Sequence, residues 1–493
     1  MSQIFKQSLK SSIFSYAGVL IGFITTGLLM PTFLDPEDIG TIKLTQSYGQ
    51  IIGVIFALGT PTAILKVGPF FHTSKSKTHG LFLLALALST FSVILLYLIS
   101  PVTYKVLLNY EEDQTFLDFI FPFILLIATG NIFFYLLDSY SNTLGYIAIS
   151  SFGKDFAMRI FNLIIIAIYV FTSISFTTLL LVLALIYFAP AVILIFHSFR
   201  TNNASLKYNP IIRTKDFIKT FRSYTLIGFV NKINLALVLT LDSIMIGKYD
   251  SKPAVGIYSV VFYFASILLI PAKAISKNTV PFVAEGIHNN NRETVNRIYQ
   301  KTALTEMIIG VVLASGLIFN TPIIFGLLKD EYAAGHLVII LISLANFINM
   351  AAGNNFNILE LSSSFVYRII LSLIFIGLMV SLNIVLIPDY GITGAAIASL
   401  ISTFIYQLLG VIVLYVKEKF NLLSPTYFKV LGVSIAILAL SVATSIYNEN
   451  ILAGITISLA VNGAFIGWLY SKNIHPEFSN IINSVVEKYL SRK

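Results

Sequence analysis

Fourteen apolar stretches of membrane-spanning length run through this chain. They lie at about residues 12–30, 42–65, 80–100, 116–142, 155–173, 175–199, 224–247, 254–276, 303–328, 333–359, 365–387, 391–416, 426–447 and 450–471. Each approaches the ~20 residues that a helix rising 1.5 Å per residue needs to cross a hydrocarbon core. Backbone amides have no water to bond inside a bilayer, so a chain of this kind folds as spanning helices that satisfy them internally. The expected architecture is therefore an all-α, polytopic membrane protein of fourteen transmembrane helices.

The basic residues orient these helices. Of 32 Lys and Arg, 26 fall in one set of alternate gaps, which includes Lys6 and Lys10, Lys75 and Lys77, Lys154 and Arg159, Arg200 to Arg222, and Lys488 to Lys493. Five lie on the other set: Lys43, Lys105, Lys248, Lys252 and Lys329. That second set is also the acidic one, with Asp35-Pro36-Glu37-Asp38, Glu111-Glu112-Asp113 and Asp330-Glu331. Positive loops stay in the cytoplasm, and an even number of spans returns the chain to its starting side, so both termini are expected to be cytoplasmic. The first stretch follows two lysines as a signal peptide would. No small-residue cleavage site follows it, and it reads as a retained span of a multi-pass protein of the cytoplasmic membrane.

Composition removes other function classes. With 56% hydrophobic and 11% charged residues and a mean hydropathy of +0.85, membrane lipid is the solvent. The net charge of +9 is spread over every second loop and forms no basic helix, so no nucleic-acid partner is expected. There is no cysteine, which excludes disulfides and thiolate metal sites, and the six histidines are scattered. Neither a metal nor a cofactor is expected. The longest loops, 200–223 and 277–302, have room for one amphipathic helix each and none for a catalytic domain. Function is expected in the bundle interior, not in an enzyme active site.

Polar residues within the spans are few, and a polar side chain facing lipid has lost water without gaining a partner. The seventh span carries Asn231, Lys232, Asn234 and Asp242. Asn231, Asn234 and Asp242 share one helical face, and Lys232 is turned about 100° away, on the order of 15 Å from the inner boundary, too deep to snorkel. Lys232 is read as a cavity-lining cation, against the alternative of an ion pair with an acid on another helix. The fourth span has Asn131, Asp138 and Asn142 in a polar stripe. The tenth repeats that spacing with Asn346, Gly353 and Asn357, and also carries Asn349 and Glu360. Such asparagines serve interhelical hydrogen bonding as readily as ligand contact.

The fourth and tenth spans are six apart, which suggests two copies of a six-helix unit in the same membrane orientation. A second echo is Pro36 followed by Gly40, and Pro253 followed by Gly256. The expected organisation is an N-lobe over residues 1–200, a cytoplasmic inter-lobe loop over 201–223, a C-lobe over 224–420, and two further helices with a cytoplasmic tail over 421–493.

Three segments carry a resemblance. Thr25–Phe70 with its FLDPEDIG turn, Leu239–Phe264 with Asp242 and a Gly-Ile-Tyr helix start, and Asn383–Leu408 with GITGAAIASL resemble the polysaccharide (Wzx-type) flippases of the multidrug/oligosaccharidyl-lipid/polysaccharide (MOP) exporter superfamily. The resemblance implies MATE-like pseudo-symmetric lobes, alternating access and a polyprenyl-pyrophosphate-linked oligosaccharide as substrate, for cell-surface polysaccharide synthesis. It also implies a polysaccharide polymerase and glycosyltransferases as pathway partners. In that reading Lys232 meets pyrophosphate while Asn131, Asn231, Asn234, Asn346, Asn349, Gln46 and Gln50 line the cavity. Asp138, Asp242 and Glu360 are the candidates for ion coupling. Peptidoglycan-precursor flippases place several arginines in their first two helices; here the first span has none, and Gln46 and Gln50 are the nearest substitute. The rival readings are a cation-coupled multidrug exporter of the same superfamily and a membrane-embedded transferase or ligase.

Overall fold

The computed structural model describes residues 3–73, 76–77, 80–111, 113–447 and 450–474. The expected cytoplasmic tail from 475, with Lys488, Arg492 and Lys493, lies outside the described residues, as do Lys75 and Glu112. The chain is all-α as expected; among the described residues the one extended pairing is a hairpin of His72–Thr73 with Ser76–Lys77.

Among the described residues, ten helices are long and apolar enough to cross a membrane, or twelve if each of two bent pairs is one span. A count of fourteen requires two further readings. The 49-residue helix Phe365–Val413 breaks at Gly391 (φ 55°, ψ −136°), between the stretches that end at 387 and begin at 391. Residues 147–171 are continuously helical through a π-helical stretch, Phe152–Ala157, and carry Lys154, Asp155 and Arg159, which keeps them out of a purely apolar count.

Local sequence explains the breaks. Pro36 opens the helix Pro36–Phe56, with Glu37 and Asp38 in the first turn where the helix dipole favours acids. Lys43, expected in an outer loop, is instead about two turns inside this helix. The helix stops where Leu58 and Gly59 take positive φ (55° and 70°), and it resumes at Thr60–Val67 with Pro61 in its first turn, bent by 51°. A Cβ on Gly59 would lie 2.2 Å from the Thr225 carbonyl oxygen, and one on Gly228 would lie 2.6 Å from the Gly59 oxygen. Glycine at both positions lets the break dock backbone to backbone on the helix Lys215–Tyr249. The second bent pair, Lys252–Ser266 and Leu269–His288, belongs to the eighth span, six after the first.

The two long loops expected on the cytoplasmic side differ from expectation. No separate amphipathic helix forms in either long loop among the described residues. The seventh span begins at Lys215, after a short 3-10 turn at Pro210–Arg213, while Leu269–His288 and Arg292–Phe319 extend towards each other across most of 277–302. Elongating a formed helix adds a backbone bond per residue, which a separate short helix would have to renucleate.

By packing, the described residues form two compact units, one of 1–264 with 372–398 and one of 265–371 with 399–474. In the first, Gln114–Thr143 packs on Pro36–Phe56 and Leu81–Glu111, and Lys215–Tyr249 packs on both halves of the bent second span. In the second, Arg292–Phe319 is central and touches Leu269–His288, His336–Ala351, Pro425–Tyr447 and Ile451–Ser471. Phe91, Leu98, Val106, Phe196, Leu452 and Leu459 are each more than half exposed, as side chains facing hydrocarbon are.

Candidate functional site

Asp138 organises the polar interior of the first unit. It is half-buried on Gln114–Thr143 and accepts hydrogen bonds from Ser150 Oγ and, at 3.1 Å, from Asn142 Nδ2. Two amines act on it electrostatically, Lys232 from the middle of the 35-residue helix Lys215–Tyr249 and Lys154 from the π-helical stretch. Lys154 Nζ donates to Asn131 Oδ1 at 3.1 Å and lies over the rings of Phe134 and Tyr187, 5.0 and 5.3 Å from their centroids. Lys232 makes no hydrogen bond or ion pair within 4 Å among the described residues, and the Oδ1 of Asn234 is buried without a partner.

The other charges of the fifth span are committed to packing. Asp155 accepts from Ser15 Oγ at 2.5 Å, and Arg159 Nη1 donates to the Gly18 carbonyl and the Tyr263 hydroxyl, each at 3.0 Å. A Cβ on Gly18 would sit 1.9 Å from the Asp155 carbonyl oxygen, so the first span reaches these groups only with glycine there. The π-helical stretch, with its wider turn, changes the direction of successive side chains, a feature common at functional sites. Asp155 acts on both Asp138 and Lys154 as well, so two amines face two carboxylates in this polar interior.

The chain's similarities are consistent with this architecture. The MatE family model matches residues 229–339. The probable flippase AglR of Haloferax volcanii is 25% identical over 216 residues, covering 42% of this chain and 44% of that protein, so the chain spans less than half of that relative's length. Among solved structures, the lipid II flippase MurJ in an inward closed conformation superposes with a TM-score of 0.69 at 16% identity, over 95% of this chain and 100% of that one. An inward-facing multidrug resistance MATE family transporter of the MOP superfamily gives 0.62 at 11% identity, over 89% and 96%. The chain has the fold of these two structures.

Within this fold, the remaining expected residues fall into three groups. Gln46 and Gln50 are half-buried on one face with Lys43 and make no hydrogen bond among the described residues; Asn231 is exposed. Asp242 is buried and satisfied on both oxygens, by the Tyr258 hydroxyl at 2.7 Å and Asn383 Nδ2 at 3.0 Å. Glu360 forms an ion pair with Arg368 at 3.3 Å. Asn346 donates to the Ala265 carbonyl at 2.9 Å, a packing role. Asn349 is exposed and lines a cavity of about 340 Å³ in the second unit.

The continuous stripe expected on the tenth span does not form. Gly353 takes φ 62° and separates His336–Ala351 from Asn355–Leu361, so Asn346 and Asn357 do not share a helix. Glycine adopts this conformation without strain, and a Cβ would meet Ala303 at 2.7 Å. Lys154 is the residue that sequence reasoning placed wrongly, as a topology charge in a cytoplasmic gap. Its signal was the Gly145 turn (φ 79°), after which helix resumes at Ile147, upstream of Lys154.

Proposed function

We propose that this protein is a flippase that moves polyprenyl-pyrophosphate-linked oligosaccharide across the cytoplasmic membrane by alternating access, for cell-surface polysaccharide synthesis. The observation that carries the reading is that two amines, Lys154 and Lys232, act on Asp138 within the apolar first unit, with Asp155, itself bonded to Ser15, as the second acid beside them. A pyrophosphate is the lipid-borne group whose charge two amines would hold, with Asp138 keeping the empty site from full repulsion. Asn131, bonded to Lys154, supplies an amide beside it. Both termini are cytoplasmic in this account, the spans number fourteen, and the lobes repeat as 1–200 and 224–420. Polymerase and glycosyltransferases would act before and after the transfer. Ion coupling falls to Asp138 or Asp242; Glu360 is already engaged by Arg368.

The second reading, a cation-coupled drug exporter, is favoured by the likeness to the MATE transporter. The test is the full chain purified into liposomes that carry a fluorescent polyprenyl-pyrophosphate oligosaccharide, with leaflet position followed by a membrane-impermeant quencher. Flippase activity moves the label between leaflets. A failure to move it, together with efflux of tetraphenylphosphonium, would select the exporter.

A further inference from the structure

Glu306 lies within Arg292–Phe319 and is 3% exposed, and its Oε1 is buried with no hydrogen-bond partner among the described residues. An acid buried in a spanning helix is costly, and one with an unused oxygen points to something it binds. Glu306 lines the cavity of about 340 Å³ in the second unit, whose wall also includes Lys273, Ser276, Asn349, Phe356 and Asn357. That volume is within the ~300–1,000 Å³ usual for small-molecule sites.

The wall chemistry discriminates among ligands. Asparagine amides offer both donors and acceptors, Ser276 spends its proton on Asn354 Oδ1 and keeps acceptor capacity, and Asn357 Nδ2 is tied to the same oxygen at 3.1 Å. Phe356 adds apolar surface to the wall; its ring is buried, stacked on Tyr406 with centroids 3.9 Å apart and with the Arg368 guanidinium 5.7 Å from its centroid. Apart from Glu306 and Lys273 the polar groups of the wall are amides and a hydroxyl, with no cluster of like charge to select an organic cation or a phosphate. A neutral ring bearing several hydroxyls matches these groups.

We propose that this cavity is a saccharide subsite. The free carboxyl oxygen of Glu306 accepts a hydroxyl hydrogen bond, the side chains of Asn349 and Asn357 bond further hydroxyls, and Phe356 adds apolar contact to the C–H groups of the sugar ring. The proposal rests on the flippase reading and deepens it, by separating the groups that take sugar from the lysines that take pyrophosphate.

The chain has no cysteine, so Ala272→Cys in the full-length protein, at a wall residue given no sugar contact, puts a single thiol in the cavity. The measurement is the rate of its alkylation by a water-soluble maleimide, with and without lactose, maltose, chitobiose or tetraphenylphosphonium. At least one saccharide is expected to slow alkylation several-fold. Adding Glu306→Ala should abolish that protection at the same concentration, and Glu306→Gln, which keeps an acceptor oxygen, should retain part of it. Where Glu306→Ala does not fold, Asn357→Ala gives the same readout. Protection by no saccharide, protection that survives both Glu306→Ala and Asn357→Ala, or protection by tetraphenylphosphonium alone overturns the proposal. Glycolipid transport by the wild type without saccharide protection sinks this subsite only, whereas absence of transport sinks the flippase reading.

Discussion

Gly40 and Gly256 pack reciprocally in the first unit. A Cβ on Gly40 would lie 1.9 Å from the carbonyl oxygen of Lys252, and a Cβ on Gly256 would lie 1.9 Å from that of Pro36. Each glycine is four residues beyond the carbonyl its partner meets. Self-complementary contact of this kind arises at a two-fold axis, here a local one between the starts of Pro36–Phe56 and Lys252–Ser266. The Pro-then-Gly echo in the sequence thus corresponds to a physical contact between the two copies of the motif.

Gly40→Ala and Gly256→Ala should therefore each destabilise the protein by about 1–3 kcal/mol, because the obstructing atoms are backbone carbonyls that cannot swing aside. Gly463→Ala, where a Cβ meets nothing within 4 Å, should be neutral or stabilising by up to ~1 kcal/mol. Thermal melts of the purified variants in one detergent check this ordering.

Gly353→Ala should cost on the order of 1–3 kcal/mol, since it adds left-handed strain to a contact at Ala303. The same melts, with limited proteolysis around 352–354, would show whether the break between the two helices is maintained.

A pH dependence follows from Asp113, which caps Gln114–Thr143. The Phe116 amide at 3.0 Å, and then Lys252 at 2.9 Å, hold its carboxyl below the ordinary carboxylate range. A carboxyl depressed in the folded state stabilises above its unfolded pKa of about 3.9, and that contribution is lost as pH falls through the folded value. Asp113→Asn keeps a capping oxygen and removes the ion pair, so it should cost on the order of 0.5 kcal/mol at neutral pH, as exposed pairs do. Melting curves of variant and wild type should begin to approach each other as pH falls below about 4 and should converge only below the depressed folded value.

The apolar stretches specified the helices, because hydrophobic length is a local property of the chain. The break in the tenth span was not legible: the seven-plus-four spacing of Asn346, Gly353 and Asn357 reads as one helix unless the backbone of Gly353 is known to be left-handed. Lys232 was legible as a charge in an apolar run. Its neighbourhood was not, since Asp138 and Lys154 reach it from other helices. Lys154 was assigned to a loop because a helix start fixed by the turn at Gly145 was read about two turns too late. Glu306 was overlooked at the cytoplasmic end of an apolar stretch, where acids are ordinary, while the helix in fact begins at Arg292 and takes it into the interior.

The most direct test of the account is the rate of leaflet exchange of fluorescent polyprenyl-pyrophosphate oligosaccharide in liposomes containing Lys232→Ala, Lys154→Ala or the wild type. The account predicts at least a ~10-fold slower rate for either variant, equivalent to ~1.4 kcal/mol of lost stabilisation, with Lys232→Arg close to wild type. Wild-type rates in a folded Lys232→Ala, Lys154→Ala double variant would contradict it.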